Sequence, residues 1–129
     1  MAFLGARLGG SWGYRTNGVP RRYKIEIAPT GYRSLEALKN KKTLREVAKV
    51  IDELAQAPDA QGKALLGPLE GVRSVRAARE RFRVLYRVDA RKRVVSVLLI
   101  GERAPGQDAD VYALAQTLLE TFSRKGKEN

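Results

Sequence analysis

The chain has 129 residues, a length suited to one domain, and its 43% apolar and 30% charged residues make a mixture too apolar for general disorder. It carries 25 Lys and Arg against 14 Asp and Glu, a net charge of +11, and has neither cysteine nor histidine. That excludes disulfides, thiol nucleophiles, imidazole acid–base catalysis and the usual zinc ligands, so no metal site and no cofactor are expected.

Residues 1–20, MAFLGARLGGSWGYRTNGVP, hold five glycines and neither a helical nor an alternating pattern. They read as a flexible N-terminal extension, with Trp12 a candidate docking anchor and Val19 a candidate alternative start. A single domain is expected over 21–123, followed by a polar tail at 124–129. In YKIEIAP, Tyr23, Ile25 and Ile27 alternate with Lys24 and Glu26, which gives a strand that Pro29 stops. Tyr32, Leu35 and Leu38 then fall at helical spacing, predicting a short helix from Thr30 to about Asn40 with Thr30 as its cap. A second helix is predicted from Thr43 to about Ala57, opened by a Thr43/Glu46 capping box and striped by Leu44, Val47, Ala48, Ile51, Leu54 and Ala55.

Residues 58–71, PDAQGKALLGPLEG, contain three glycines and two prolines and are expected to be irregular. Strands are predicted at 73–77, 82–88 and 94–100, the last two joined by the turn DARKR. In FRVLYRV, Arg83, Leu85 and Arg87 face away from Phe82, Val84, Tyr86 and Val88, whereas VVSVLLI is apolar on both faces and therefore central. A last helix is predicted from Asp110 to Phe122, with Val111, Leu114, Ala115, Leu118, Leu119 and Phe122 on one stripe. No apolar run reaches the roughly 18 residues a membrane helix needs, so no membrane partner and a cytoplasmic location are expected.

Charge is concentrated where the sheet is predicted. From Lys63 to Arg103 there are 11 basic and 4 acidic residues, an excess of seven. Strands normally give their faces to apolar side chains, so this density of guanidinium groups points to a polyanion, and phosphate contacts supply affinity without sequence specificity. Plain solvation is the competing reading of such charge.

The order strand, two helices, three antiparallel strands, helix resembles the RelE/ParE toxin superfamily of bacterial type II toxin–antitoxin systems. The resemblance is carried by YKIEIAPTGYRSL, KALLGPLEGVRSVR, RFRVLYRVD and IGER…DVY, and spans about residues 22–122. It implies an α+β fold in which a helical hairpin follows the first strand, a three-stranded antiparallel meander joins that strand in one sheet, and a helix ends the chain. It also implies a cognate antitoxin as partner and one of two activities. RelE-like members cleave messenger RNA on the ribosome without metal; ParE-like members poison DNA gyrase by protein contact.

Under the RelE-like reading, the resemblance places Arg83 against the scissile phosphate, makes Arg103 the second catalytic arginine, and makes Tyr112 an aromatic that stacks on a base of the message. Arg76 falls where RelE nucleases carry a lysine thought to act as general base. Arginine keeps its proton, so Arg76 would only stabilise charge, which leaves Glu102 and Glu80 as alternative bases. Lys63, Arg73, Arg79 and Arg81 are expected to position the RNA backbone. Against these stand ordinary readings: exposed strand arginines, surface ion pairs, and a tyrosine packed on the sheet. A gyrase inhibitor and an inactive ribosome-binding protein remain the alternatives to a nuclease.

Overall fold

The computed structural model describes residues 22–128, with side chains described through residue 120. The N-terminal segment, including Trp12 and Val19, lies outside the described residues, as does the side chain of Phe122.

The first strand, β1 (Lys24–Ile27), alternates as its sequence requires. Pro29 ends it and opens helix α1 (Pro29–Glu36), at a position where the missing N–H costs no helical bond. Thr30 is therefore inside the helix and does not cap it. Ala28 takes the cap position without a side-chain bond, and Thr30 Oγ1 donates to the Leu98 carbonyl at 2.7 Å, fastening the helix to the sheet. The approach is close enough that a Cβ at Gly31 would lie 2.7 Å from the Val97 carbonyl oxygen.

Helix α2 (Lys41–Glu53) begins ahead of the expected capping box. Asn40 is the cap, its Oδ1 accepting from Thr43 N at 3.0 Å, so Thr43 occupies the third helical position. Val47, Ile51 and Leu54 of the predicted stripe are fully buried, while Leu44 lies at its exposed margin.

The segment expected to be irregular contains more structure than its composition suggested. Two short 3-10 turns, Pro58–Ala60 and Gly67–Leu69, flank a two-residue strand, β2 (Lys63–Ala64). Gly62 lets that strand lie down, since its φ is +59° and a Cβ there would meet the Ser74 carbonyl oxygen at 2.2 Å. Three longer strands follow, β3 (Arg73–Ala77), β4 (Phe82–Asp89) and β5 (Val94–Glu102), and then helix α3 (Val111–Glu128).

These strands form one five-stranded sheet in the order β1-β5-β4-β3-β2, with β1 parallel to β5 and the other pairs antiparallel. The α+β architecture of helical hairpin, meander and final helix is as expected, with β2 added at the far edge. The sheet separates two apolar layers. Against the hairpin pack Leu35, Val47, Ile51, Leu54, Ala77, Val84, Tyr86, Val95, Val97 and Ile100; against α3 pack Leu65, Leu69, Val72, Leu85, Leu99, Val111 and Ala115. Tyr86 is fully buried, and its hydroxyl donates to the carbonyls of Pro58 and Gln61 at 2.9 and 3.0 Å.

One irregularity in this sheet decides the site. Leu85 pairs with Leu99 but Tyr86 pairs with Val97, so Leu98 is an extra residue in β5. Such a bulge reverses the phase of alternation beyond it. Val95 and Val97 face the hairpin before the bulge and Ile100 faces it after, whereas Leu98 and Leu99 both turn to the α3 side.

Candidate functional site

On the α3 face, at the end of the sheet where β5 stops, a cleft of about 410 Å³ is lined by Gly62, Lys63, Ser74, Val75, Arg76, Arg83, Arg103 and Tyr112. Each cation arrives by a different route. Arg76 and Arg83 are direct cross-strand partners on β3 and β4, and Arg83 in turn pairs with Gly101 on β5. The bulge shifts the phase of β5 so that Gly101 and Arg103 share the face of Arg83. Gly101 clears space, because a Cβ there would press on Val111 at 3.1 Å. Arg103 N donates to the Arg81 carbonyl at 2.9 Å, extending the pairing one step past the strand. Lys63 reaches the cleft from β2.

Like charges set directly opposite each other across strands are destabilising. The row is partly compensated. Arg76 Nη1 pairs with Glu80 Oε1 at 3.2 Å, and Arg83 Nη1 donates to the carbonyls of Glu80 and Phe82 at 2.7 and 3.1 Å. Glu80 thus engages both arginines from the β3–β4 turn. Among the described residues no group of three or more His, Cys, Asp or Glu side chains is placed to hold a metal ion.

Arg103 is the most constrained of the four. Its Nη1 donates to Asp110 Oδ1, and its guanidinium carbon lies 4.3 Å from the centroid of the Tyr112 ring. The Tyr112 hydroxyl is 2.9 Å from Ser74 Oγ, and Ser74 is itself buried. Asp110, only 4% exposed, caps α3: Oδ2 accepts from Tyr112 N at 3.0 Å and Oδ1 also accepts from Ala104 N at 2.6 Å. Burial alone would raise the Asp110 pKa, but the bonds from Ala104 N, Arg103 and Tyr112 N, together with the Arg103 charge, outweigh it and hold the carboxyl below its ordinary value. The sequence reading placed Asp110 at the start of the helix and gave it no role at the site. Its signal was the acid at a helix start seven residues after a cation, a spacing that acquires meaning only once the loop folds back.

The remaining sequence candidates lie elsewhere. Arg73 is on the hairpin face of β3, where Nε and Nη2 donate to the Gln61 carbonyl at 3.2 and 2.8 Å and brace the turn that Tyr86 also holds. Arg79 is exposed in the β3–β4 turn, and Arg81 is exposed and paired with Glu102 at 2.9 Å. Neither lines the cleft. Both carboxylates considered as bases are consequently bound in ion pairs, Glu80 with Arg76 and Glu102 with Arg81.

A second concavity of about 400 Å³ lies between α1 and α3 on the same face of the sheet. It is lined by apolar groups including Leu85, Leu98, Leu99, Leu118 and Leu119, with Arg33 and Arg87 also on its wall. No helix among the described residues is long and apolar enough to cross a membrane.

This architecture is similar to that of known toxins. The M. tuberculosis toxin–antitoxin complex RelBE2 contains a chain 30% identical, aligned over 65% of this chain and 94% of its own, with a TM-score of 0.58. A chain of the chromosomal ParDE system of P. aeruginosa aligns at 18% identity over 63% of this chain and 96% of its own (TM-score 0.54). The isolated E. coli RelE toxin aligns at 16% identity over 75% and 98% (TM-score 0.53), and at such identities these two likenesses speak to fold alone. No curated protein matches the chain by sequence. The sequence model of the ParE toxin of the type II toxin–antitoxin system parDE matches residues 23–105, which contain β1 through β5 and Arg103. The chain therefore belongs to the ParE toxin family of type II toxin–antitoxin systems, within the RelE/ParE superfamily.

Proposed function

We propose that this toxin is a cytoplasmic endoribonuclease that cleaves messenger RNA on the ribosome, and that a cognate antitoxin holds it inactive. The observation that carries the reading is the meeting of Lys63, Arg76, Arg83, Arg103 and Tyr112 in one cleft, although they come from four strands or strand ends and a helix. A row of unlike origins but like charge lowers stability unless an anion meets it, and a phosphodiester is the anion that guanidinium forks fit best.

In the proposed reaction the ribose 2′-oxygen forms a bond to the adjacent phosphorus while the bond to the 5′-oxygen breaks. The 2′-hydroxyl loses a proton and the leaving 5′-oxygen gains one, giving a cyclic phosphate and a 5′-hydroxyl. Arg83 grips the non-bridging oxygens, with Arg76 opposite it and Arg103 alongside to meet the charge that develops on them. Tyr112 lines the cleft with one ring face against Arg103, and a base of the message stacks on its other face. Arginine keeps its proton at neutral pH and so makes a poor general base. Most of the acceleration accordingly comes from charge and alignment rather than from a tuned base.

The apolar concavity between α1 and α3, with Arg33 and Arg87 on its wall, offers the antitoxin a surface for an amphipathic, acidic segment. The M. tuberculosis toxin–antitoxin complex RelBE2, with its 30% identical chain, supports such a partner. The test of the activity is to incubate the toxin with translating ribosomes and map message ends. Cuts in the ribosomal A site that weaken by about 10²-fold or more with Arg83→Ala are expected; no cuts from the wild type would refute the proposal.

A second reading is a gyrase inhibitor that acts by protein contact. It is favoured by the match to the ParE sequence model and by arginine at the position where a base is wanted. Inhibition of gyrase supercoiling, with message left intact, would decide for it.

A further inference from the structure

An arginine just beyond a strand end has several freely rotating bonds, and a catalytic cation must be held within a narrow range of positions. Arg103 is held from two sides. One side is the Tyr112 ring, itself fixed by Ser74. The other is the Asp110 carboxylate, which receives Arg103 Nη1, Ala104 N and Tyr112 N. That carboxylate therefore joins the guanidinium, the backbone next to it and the first turn of α3 in one partly buried knot. Asp110 does not line the cleft, and it stands behind the arginine that does.

We propose that Asp110 is a positioning residue for the nuclease reaction: its carboxylate fixes the Arg103 guanidinium toward the scissile phosphate and registers it with Tyr112. The proposal rests on the nuclease reading given above. A helix cap alone would need only an acceptor, and asparagine or serine serves a cap about as well as aspartate. An ionic anchor for Arg103 needs the negative charge, so substitution by a neutral cap separates the two roles.

The experiment measures message cleavage on programmed ribosomes under single-turnover conditions for wild type, Asp110→Asn, Arg103→Ala and the double variant, each first checked by thermal melting. Asp110→Asn is expected to slow cleavage on the order of 10²-fold, the effect of misplacing a catalytic group by about 1 Å, with ribosome affinity unchanged. In the Arg103→Ala background the same substitution is expected to cost nothing further, because Asp110 acts through Arg103. A folded Asp110→Asn that cuts at the wild-type rate, or losses that simply multiply in the double variant, would overturn this inference and leave the nuclease reading standing. Absence of cutting by the wild type overturns both. If Asp110→Asn does not fold, Asp110→Ser carries the same expectation; if neither folds, the role is structural and the inference fails.

Discussion

At the residue scale, Arg76 and Arg83 are the informative pair, because their side chains face each other across β3 and β4, balanced among the described residues by Glu80 and the carbonyls of Glu80 and Phe82. Arg83→Ala is expected to lower cleavage by about 10²- to 10³-fold, the usual loss when one donor to a developing anion is removed. Stability should stay within about 0.5 kcal/mol of wild type or rise slightly, since a like-charge contact goes with it. A urea titration beside the cleavage assay checks both. Asp110 gives a pH signature. Its pKa is depressed in the folded protein, so its contribution is complete above the ordinary carboxyl value of about 4 and is lost as pH falls through the lower folded value. Thermal melts between neutral pH and pH ~2.5 should show Asp110→Asn less stable at pH 7 and less sensitive to acid than wild type.

At the element scale, the β3–β4 turn is strained. Ala78, Arg79 and Glu80 all have positive φ, at 51°, 60° and 67°, a conformation that costs a side-chain-bearing residue about 1–2 kcal/mol each. Arg79 and Glu80 are both exposed, but Glu80 is tied to Arg76 and Arg83, so the test falls on Arg79: Arg79→Gly is expected to stabilise the protein by about 0.5–1 kcal/mol after the entropy of the added glycine is subtracted. A lower melting temperature for that variant would contradict the strain argument. Helix α1 supplies the opposite case. Gly31→Ala would force a Cβ to 2.7 Å from the Val97 carbonyl, so a loss of about 1–3 kcal/mol in denaturant midpoint measurements is expected.

At the scale of the whole molecule, the net charge of +11 matters because part of it is gathered in one cleft. If Lys63, Arg76, Arg83 and Arg103 each neutralise one phosphate, the logarithm of affinity for a short single-stranded RNA should fall against the logarithm of salt concentration with a slope of about −3. Fluorescence anisotropy across a salt series measures it. A slope near zero would mean the cleft does not engage the RNA backbone.

By itself the sequence determined the parts whose signal is local. The alternation of Tyr23, Ile25 and Ile27, the Val47–Ile51–Leu54 stripe and the split of FRVLYRV into an arginine face and an apolar face all follow from side-chain period. Period carried no warning of β2, which is two residues long, or of Asn40 as the cap, because Thr43 fitted the same rule three residues later. The meeting of the site residues was beyond it altogether. On strict alternation along β5, Arg103 belongs with Val95 and Val97 on the hairpin face; the bulge at Leu98 carries it to the α3 face beside Arg83. A bulge arises when facing layers pack better with one strand a residue longer, a choice made between strands and therefore absent from the pattern of either. The same holds for Asp110, which the chain presents as a helix start and the folded loop turns into the anchor of Arg103.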